Sequence, residues 1–211
     1  GDSARRPGQT VRFIAQDVPA RGWRSYRIVP EPFNPISETQ IGKLILSNAH
    51  FRLLLDPRTG GIASLIETRT GRELVAGGGY ALNQFIYERI PRGREALCEW
   101  GKVKNDAEIT RVTPAMHVRS GNGSLIVEGG GGDVPAFRAE ITLYDDLPYL
   151  DLTNTVVMPF SDHAEAVYQA FPLASLDPVV YLDIPGAVLR PGIDQVPGTA
   201  TDWHGIQRYF A

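Results

Sequence analysis

The segment Lys43–Val75, KLILSNAHFRLLLDPRTGGIASLIETRTGRELV, decides how the rest of the sequence is interpreted. Two apolar runs flank the hexapeptide Asp56–Gly61, which contains one proline and two glycines. Proline fixes its own φ for a turn, and glycine accepts positive φ without strain. The first run, FRLLLD, has an apolar residue at every second position, as a strand with one buried face requires. The segment therefore predicts a β-hairpin over residues 51–66, with a second turn at Thr70-Gly71.

The composition of the whole chain also favours β-structure. At 211 residues and 43% hydrophobic content, the chain is long enough to bury one sizeable core. Its 22 glycines and 16 prolines predict many turns and leave few windows for a long amphipathic helix. We therefore predict an all-β protein.

Period-two patterns between Gly and Pro turns divide the chain into two parts. Residues 1–40 predict a small β-segment, with strands at Thr10–Ala15 and Trp23–Ile28 in a hairpin, followed by a Pro-containing linker. Residues 41–211 predict a β-sandwich domain. After the first hairpin, its strand-like runs are expected at residues 80–88, 109–112, 117–119, 124–128, 137–144 and 150–156.

The distribution of charge and the number of cysteines bear on the partners, the disulfides and the compartment of the chain. The net charge is −3 and the charged residues are interspersed, so no basic stripe indicates a nucleic-acid partner, and a membrane partner is not indicated either. The single cysteine, Cys98, excludes an internal disulfide framework. The N-terminus has no signal-like apolar segment, which leaves the compartment open with the cytoplasm slightly favoured. Gly1 in place of Met and an apparent mid-strand end at Ala211 lead us to expect a piece of a longer protein.

Asn83, Gln84 and Tyr87 are the first candidate binding residues, since amides and aromatic hydroxyls commonly hold sugars. The alternative is that these polar groups simply face solvent or a loop. The Gly129–Gly132 run is not a phosphate loop, because no GK[ST] motif and no helix follows it, and it predicts a hairpin tip.

The triplet Asp202-Trp203-His204 is the second candidate. A sugar ring can stack on an indole while a carboxylate and an imidazole bond its hydroxyls. In the alternative interpretation, Trp203 packs in the core and Asp202 caps a turn.

Neither a metal site nor a catalytic site is predicted within the chain. The histidines His50, His117, His163 and His204 show no HxH or HExxH spacing, so no metal ligand set is expected. Asp145 and Asp146 are neighbours that would point to opposite sides of a strand end, which does not suit a cooperating carboxylate pair.

Two groups of motifs resemble the β-sandwich region of family 38 glycoside hydrolases, the retaining α-mannosidases. The similarity runs through residues 10–211. The first group is Asn48, Phe51-Arg52, Asp56-Pro57, Thr59-Gly60, Ile62, Ser64-Leu65 and Gly71–Val75, and the second is Glu165–Tyr168, Ala170–Leu173, Asp183–Gly186, Arg190-Pro191, Asp194–Gly198 and Asp202–Tyr209.

The resemblance implies a galactose-mutarotase-like antiparallel β-supersandwich. It also implies that the catalytic carboxylates and the zinc ligands belong to a separate α/β barrel, none of whose motifs match this sequence. The expectation is a non-catalytic C-terminal portion of an enzyme acting on mannose-containing glycans. This portion would hold no cofactor, brace the barrel as its partner and line the sugar pocket.

Two alternatives stay open. One is a free-standing carbohydrate-binding module. The other is an aldose epimerase of the same fold, with His117 or His163 paired with Glu165 or Glu88 as acid and base.

Overall fold

The computed structural model describes residues 15, 17–27, 44–90, 98–99, 102–103, 110–113, 116–120, 124–145, 147–161, 164–175, 178–199 and 204–211. Its contacts divide the chain into two units, Gly1–Pro35 and Ile36–Ala211. The described residues form β-strands and no helix, which confirms the predicted all-β class. None of these elements is therefore a helix long and apolar enough to cross a membrane.

All paired strands of the second unit run antiparallel. The strands are β1 (Ile45–Ser47), β2 (Phe51–Leu55), β3 (Ile62–Glu67), β4 (Arg72–Glu73), β5 (Phe85–Ile90), β6 (Cys98–Glu99), β7 (Lys102–Val103), β8 (Thr110–Val112), β9 (Met116–Ser120), β10 (Ser124–Gly131), β11 (Val134–Leu143), β12 (Leu150–Val157), β13 (Ala164–Gln169), β14 (Leu182–Ile184) and β15 (Ala187–Leu189). One sheet has the order β1-β2-β3-β4, another the order β12-β11-β10-β9, and a third the order β13-β5-β8; β14 pairs with β15 and β6 with β7.

The hairpin predicted from the opening segment is present as β2 and β3. Its turn is closed by a hydrogen bond from the Gly60 amide to the Asp56 carbonyl at 2.8 Å, and Gly60 has φ of +67°. A Cβ on Gly60 would lie 2.3 Å from the Val127 Cγ1 atom of β10. Glycine is therefore needed there both for the backbone and for the close approach of two sheets.

A single apolar core joins the three larger sheets. The Phe85 ring of β5 stacks on the Phe137 ring of β11, with centroids 4.6 Å apart and planes inclined by 18°. Leu53 of β2, Val127 of β10 and Ile141 of β11 are fully buried members of the same cluster. Alternate residues of β2, β5, β10 and β11 thus face one interior, which gives the unit its sandwich character.

Most predicted strand runs match the structure, and the differences have local causes. The β10–β11 hairpin is confirmed, but its turn is at Gly132-Asp133, because Gly129–Gly131 belong to β10. The runs predicted at 137–144 and 150–156 correspond to β11 and β12, which pair with each other. The strand expected at residues 80–88 begins only at Phe85, because Asn83 has φ of +59°, which a strand residue does not adopt.

Of the predicted N-terminal hairpin, the structure describes residues 15 and 23–27 and the turn between the two strands. Residues 10–14 and 28 lie outside the described part, as does the 29–40 linker, and residues 23–27 form no strand. The turn between them is present, with a hydrogen bond from the Gly22 amide to the Pro19 carbonyl at 3.0 Å. Trp23 is 84% exposed, so this segment lacks the apolar packing that stabilises a two-stranded hairpin.

Candidate functional site

A cleft of about 380 Å³ opens beside the pairing of β5 with β13. Its volume lies in the range of small-molecule binding sites. The cleft combines charged, hydroxyl and aromatic groups, contributed by Tyr87, Arg89, Gly132, Asp133, Pro159, Phe160, Ser161 and Glu165.

Strand register brings the floor of the cleft together. In the antiparallel pair, Arg89 lies opposite Glu165 and Tyr87 lies opposite Val167. Residues two apart on a strand share a face, so Tyr87, Arg89 and Glu165 project to the same side of the sheet. This side is the one on which Phe85 packs into the core, so the cleft is a continuation of the core surface.

Two loops supply the walls. Asp133 lies in the turn between β10 and β11, where Gly131 and Gly132 have φ of +107° and +67°. Phe160 lies in the segment that follows β12 and is 100% exposed. Phe160 therefore presents a large apolar ring to solvent at the edge of a cleft that also contains polar groups.

The Tyr87 hydroxyl donates a hydrogen bond to Glu165 Oε2 at 2.5 Å. Tyr87 is only 3% exposed, and this burial raises its pKa, to which the hydrogen bond and the charge of Glu165 add. The phenol therefore keeps its proton and acts as a fixed donor. Glu165 is held toward Tyr87, and its second carboxylate oxygen is left for another partner.

The other charges of the cleft do not neutralise one another. Within the described residues, neither Arg89 nor Asp133 has an ion-pair partner within 4.0 Å, although Arg89 lies directly across the strands from Glu165. Three separated charges around one cleft are suited to a polar ligand that bonds to each of them.

Asn83 and Gln84, which sequence reasoning grouped with Tyr87, lie outside this cleft and are engaged within the fold. Asn83 is 2% exposed and forms a reciprocal amide pair with Asn154, at 3.0 and 2.8 Å. The Gln84 side chain accepts from the Ala81 amide at 2.9 Å and donates to the Thr113 hydroxyl at 2.8 Å. These amides close the loop before β5.

His204 lies at a different place. It lines a hollow of about 710 Å³ whose other walls are mostly apolar and include Leu182, Ile193 and Ile206. Asp202 and Trp203 lie outside the described residues. The structure thus separates Tyr87 from His204 and assigns them to two different concavities.

Sequence reasoning missed four cleft residues as binding groups: Arg89, Asp133, Phe160 and Glu165. Tyr87 and Arg89 stand two apart on one strand, which was the available signal. From the sequence, Glu165 is a candidate only as an acid or base of the epimerase alternative. Asp133 and Phe160 come from turns, where period-two patterns give no information about direction.

Three of the four histidines, His50, His117 and His204, fall in the described part of the chain, and His163 does not. In that part, no group of three or more His, Cys, Asp or Glu residues could hold a metal ion. A scan against protein-family models found no match, and neither did a search of curated proteins.

Proposed function

We propose that this chain is the non-catalytic, galactose-mutarotase-like β-sandwich portion of a family 38 type glycoside hydrolase, and that its cleft binds a pyranose of a mannose-containing glycan. The observation that favours this function is the fully exposed Phe160 ring beside the Tyr87–Glu165 hydrogen bond. The motif resemblance supplies the enzyme class, and the cleft chemistry supports the sugar.

Each cleft group matches one part of a pyranose. The apolar face of the ring would stack on Phe160, and the free oxygen of Glu165 would accept from a hydroxyl. Arg89 carries only donors, so it would serve a hydroxyl or ring oxygen as acceptor. The fixed Tyr87–Glu165 bond lowers the entropic cost of ordering the carboxylate when the sugar binds.

In this proposal the chemistry of hydrolysis belongs to a separate barrel, which would also hold the zinc. The sandwich would contribute a wall of the glycone pocket and brace the barrel. A free-standing carbohydrate-binding module would use the same cleft without a barrel. Both functions therefore require that this chain binds a sugar.

The epimerase alternative has less support. Glu88 accepts from the Arg111 Nε atom at 2.7 Å and from the Tyr168 hydroxyl at 3.3 Å. The next residue along β5, Arg89, is the one that faces the cleft, so Glu88 projects to the opposite side of the sheet. His117 is not among the described cleft residues, and His163 lies outside the described part.

The test is calorimetric titration of the whole chain with methyl α-D-mannopyranoside. We expect Phe160→Ala and Glu165→Gln each to weaken binding by roughly five- to tenfold, which corresponds to one lost stacking contact or one charged hydrogen bond. Tyr80→Ala, which removes a half-exposed aromatic ring outside the cleft, is the matched control and should bind as the wild type does. Absence of binding by the wild type, or equal effects of Phe160→Ala and Tyr80→Ala, would contradict the proposal.

A further inference from the structure

Negative charges outnumber positive charges among the described residues of the cleft. Among the described lining residues, two carboxylates (Asp133 and Glu165) face one guanidinium (Arg89), which leaves a formal charge of −1. None of the three is paired with a charge of opposite sign within 4.0 Å in the described part of the chain. The described groups of the cleft therefore give a ligand a net negative field that ion pairs among them do not cancel.

The charges of the cleft also act on the phenol of Tyr87, which lies at the floor of the cleft. Burial is the main cause of its raised pKa, and the charges of Glu165 and Asp133 raise the pKa further, while Arg89 lowers it. The effect of Glu165 alone exceeds that of Arg89. The two carboxylates and the guanidinium therefore act on this phenol with opposite signs, and the carboxylates are the groups that favour its protonated form.

Building on the proposed function, we infer that the cleft discriminates sugars by charge, preferring a pyranose with a protonated amine to a neutral one, and a neutral one to a pyranose with a carboxylate. An ammonium group is attracted by two carboxylates and repelled by one guanidinium, and a carboxylate substituent meets the reverse. Arg89 provides a position for hydroxyl groups of the amino sugar, so the cation need not approach it.

Three probes of one ring configuration test this order: D-mannosamine, methyl α-D-mannopyranoside and D-mannuronate. At low ionic strength we expect mannosamine to bind roughly five- to tenfold more tightly than the neutral mannoside, and mannuronate to bind more weakly than it by a similar factor. At about 0.3 M salt, where the screening length is roughly 5–6 Å, the spread in affinity should shrink.

Substitutions in the cleft test whether the preference for mannosamine arises there. Asp133→Asn should reduce the preference for mannosamine and Arg89→Gln should increase it, while Asp145→Asn, an exposed carboxylate outside the cleft, should leave it unchanged. Asp133 is exposed at a hairpin tip, so its substitution does not disturb the core.

The outcomes separate the two proposals. If the three sugars bind with equal affinities or in the reverse order, selection by charge is contradicted but sugar binding is not. The same holds if Asp133→Asn and Arg89→Gln leave the preference unchanged. Failure of all three sugars to bind would overturn both.

Discussion

The hydrogen bond from Tyr87 to Glu165 joins stability to the geometry of the cleft. Glu165 is exposed enough to line the cleft, while its donor is almost completely buried. The two residues are separated by 78 positions in sequence. One buried donor therefore fixes the orientation of a carboxylate that stays available to a ligand.

Tyr87→Phe should lower the free energy of unfolding by about 1–2 kcal/mol at neutral pH, because a hydrogen bond to a charged group is lost. A second effect appears in alkali. Since the folded-state pKa of Tyr87 is raised above 10.0, the unfolded chain loses the phenolic proton first, and native stability falls as pH rises above 10.0. Urea unfolding at a series of pH values should show a shallower alkaline decline in Tyr87→Phe.

Tyr168, whose pKa burial also raises, accounts for part of the remaining alkaline decline in that variant. The exposed Tyr80→Phe is the control and should follow the wild type. An alkaline profile of Tyr87→Phe that superimposes on that of the wild type would show that the phenol is not protected in the folded state.

The β2–β3 hairpin shows why local sequence predicted one element well. Pro57, Gly60 and Gly61 fix the turn within six residues, so no distant contact is needed to recognise it. The same turn also carries a long-range contact, because Gly60 lies against Val127 and Met116 of β10 and β9. The need for glycine on steric grounds was therefore not visible in the sequence, although its need for positive φ was.

Gly60→Ala should cost about 2–5 kcal/mol of stability, because a Cβ adds both left-handed strain and a clash with the Val127 side chain. Gly71→Ala is the matched comparison: Gly71 has φ of +70°, but no atom lies within 4 Å of an added Cβ. It should cost only about 1–2 kcal/mol, from backbone strain alone. Urea midpoints of the two variants measure the difference, and equal losses would mean that the hairpin turn does not press on the opposite sheet.

The whole molecule combines a predictable fold class with an unpredictable site. Alternation in Phe137–Leu143 and its neighbours indicated strands with one buried face, and those strands do enclose a common core. The cleft, by contrast, depends on which strands pair and in what register. Tyr87 meets Glu165 only because β13 pairs with β5, and nothing within either strand specifies that partner. Asn83 is a local example of a feature that the sequence does not predict. Its left-handed backbone interrupts the alternation of residues 80–88, so the strand begins only at Phe85.

As a whole, the chain should not hydrolyse aryl α-mannosides, with or without added zinc. A retaining glycosidase needs a nucleophilic carboxylate and an acid/base carboxylate about 5 Å apart, and the family 38 resemblance implies that both lie in a separate barrel. Release of nitrophenol from 4-nitrophenyl α-D-mannopyranoside measures this directly. Turnover that disappears in Asp133→Asn and in Glu165→Gln would instead make the cleft a catalytic site.

Nuclear magnetic resonance mapping of methyl α-D-mannopyranoside on the isotopically labelled chain tests sugar binding at this cleft most directly. We expect the largest shift changes at the amides of Tyr87, Arg89, Asp133, Phe160 and Glu165, saturating with sugar concentration and diminished in Phe160→Ala. Saturable changes centred on His204 and Ile206, or no changes at any residue, would contradict the assignment of the cleft as the sugar site.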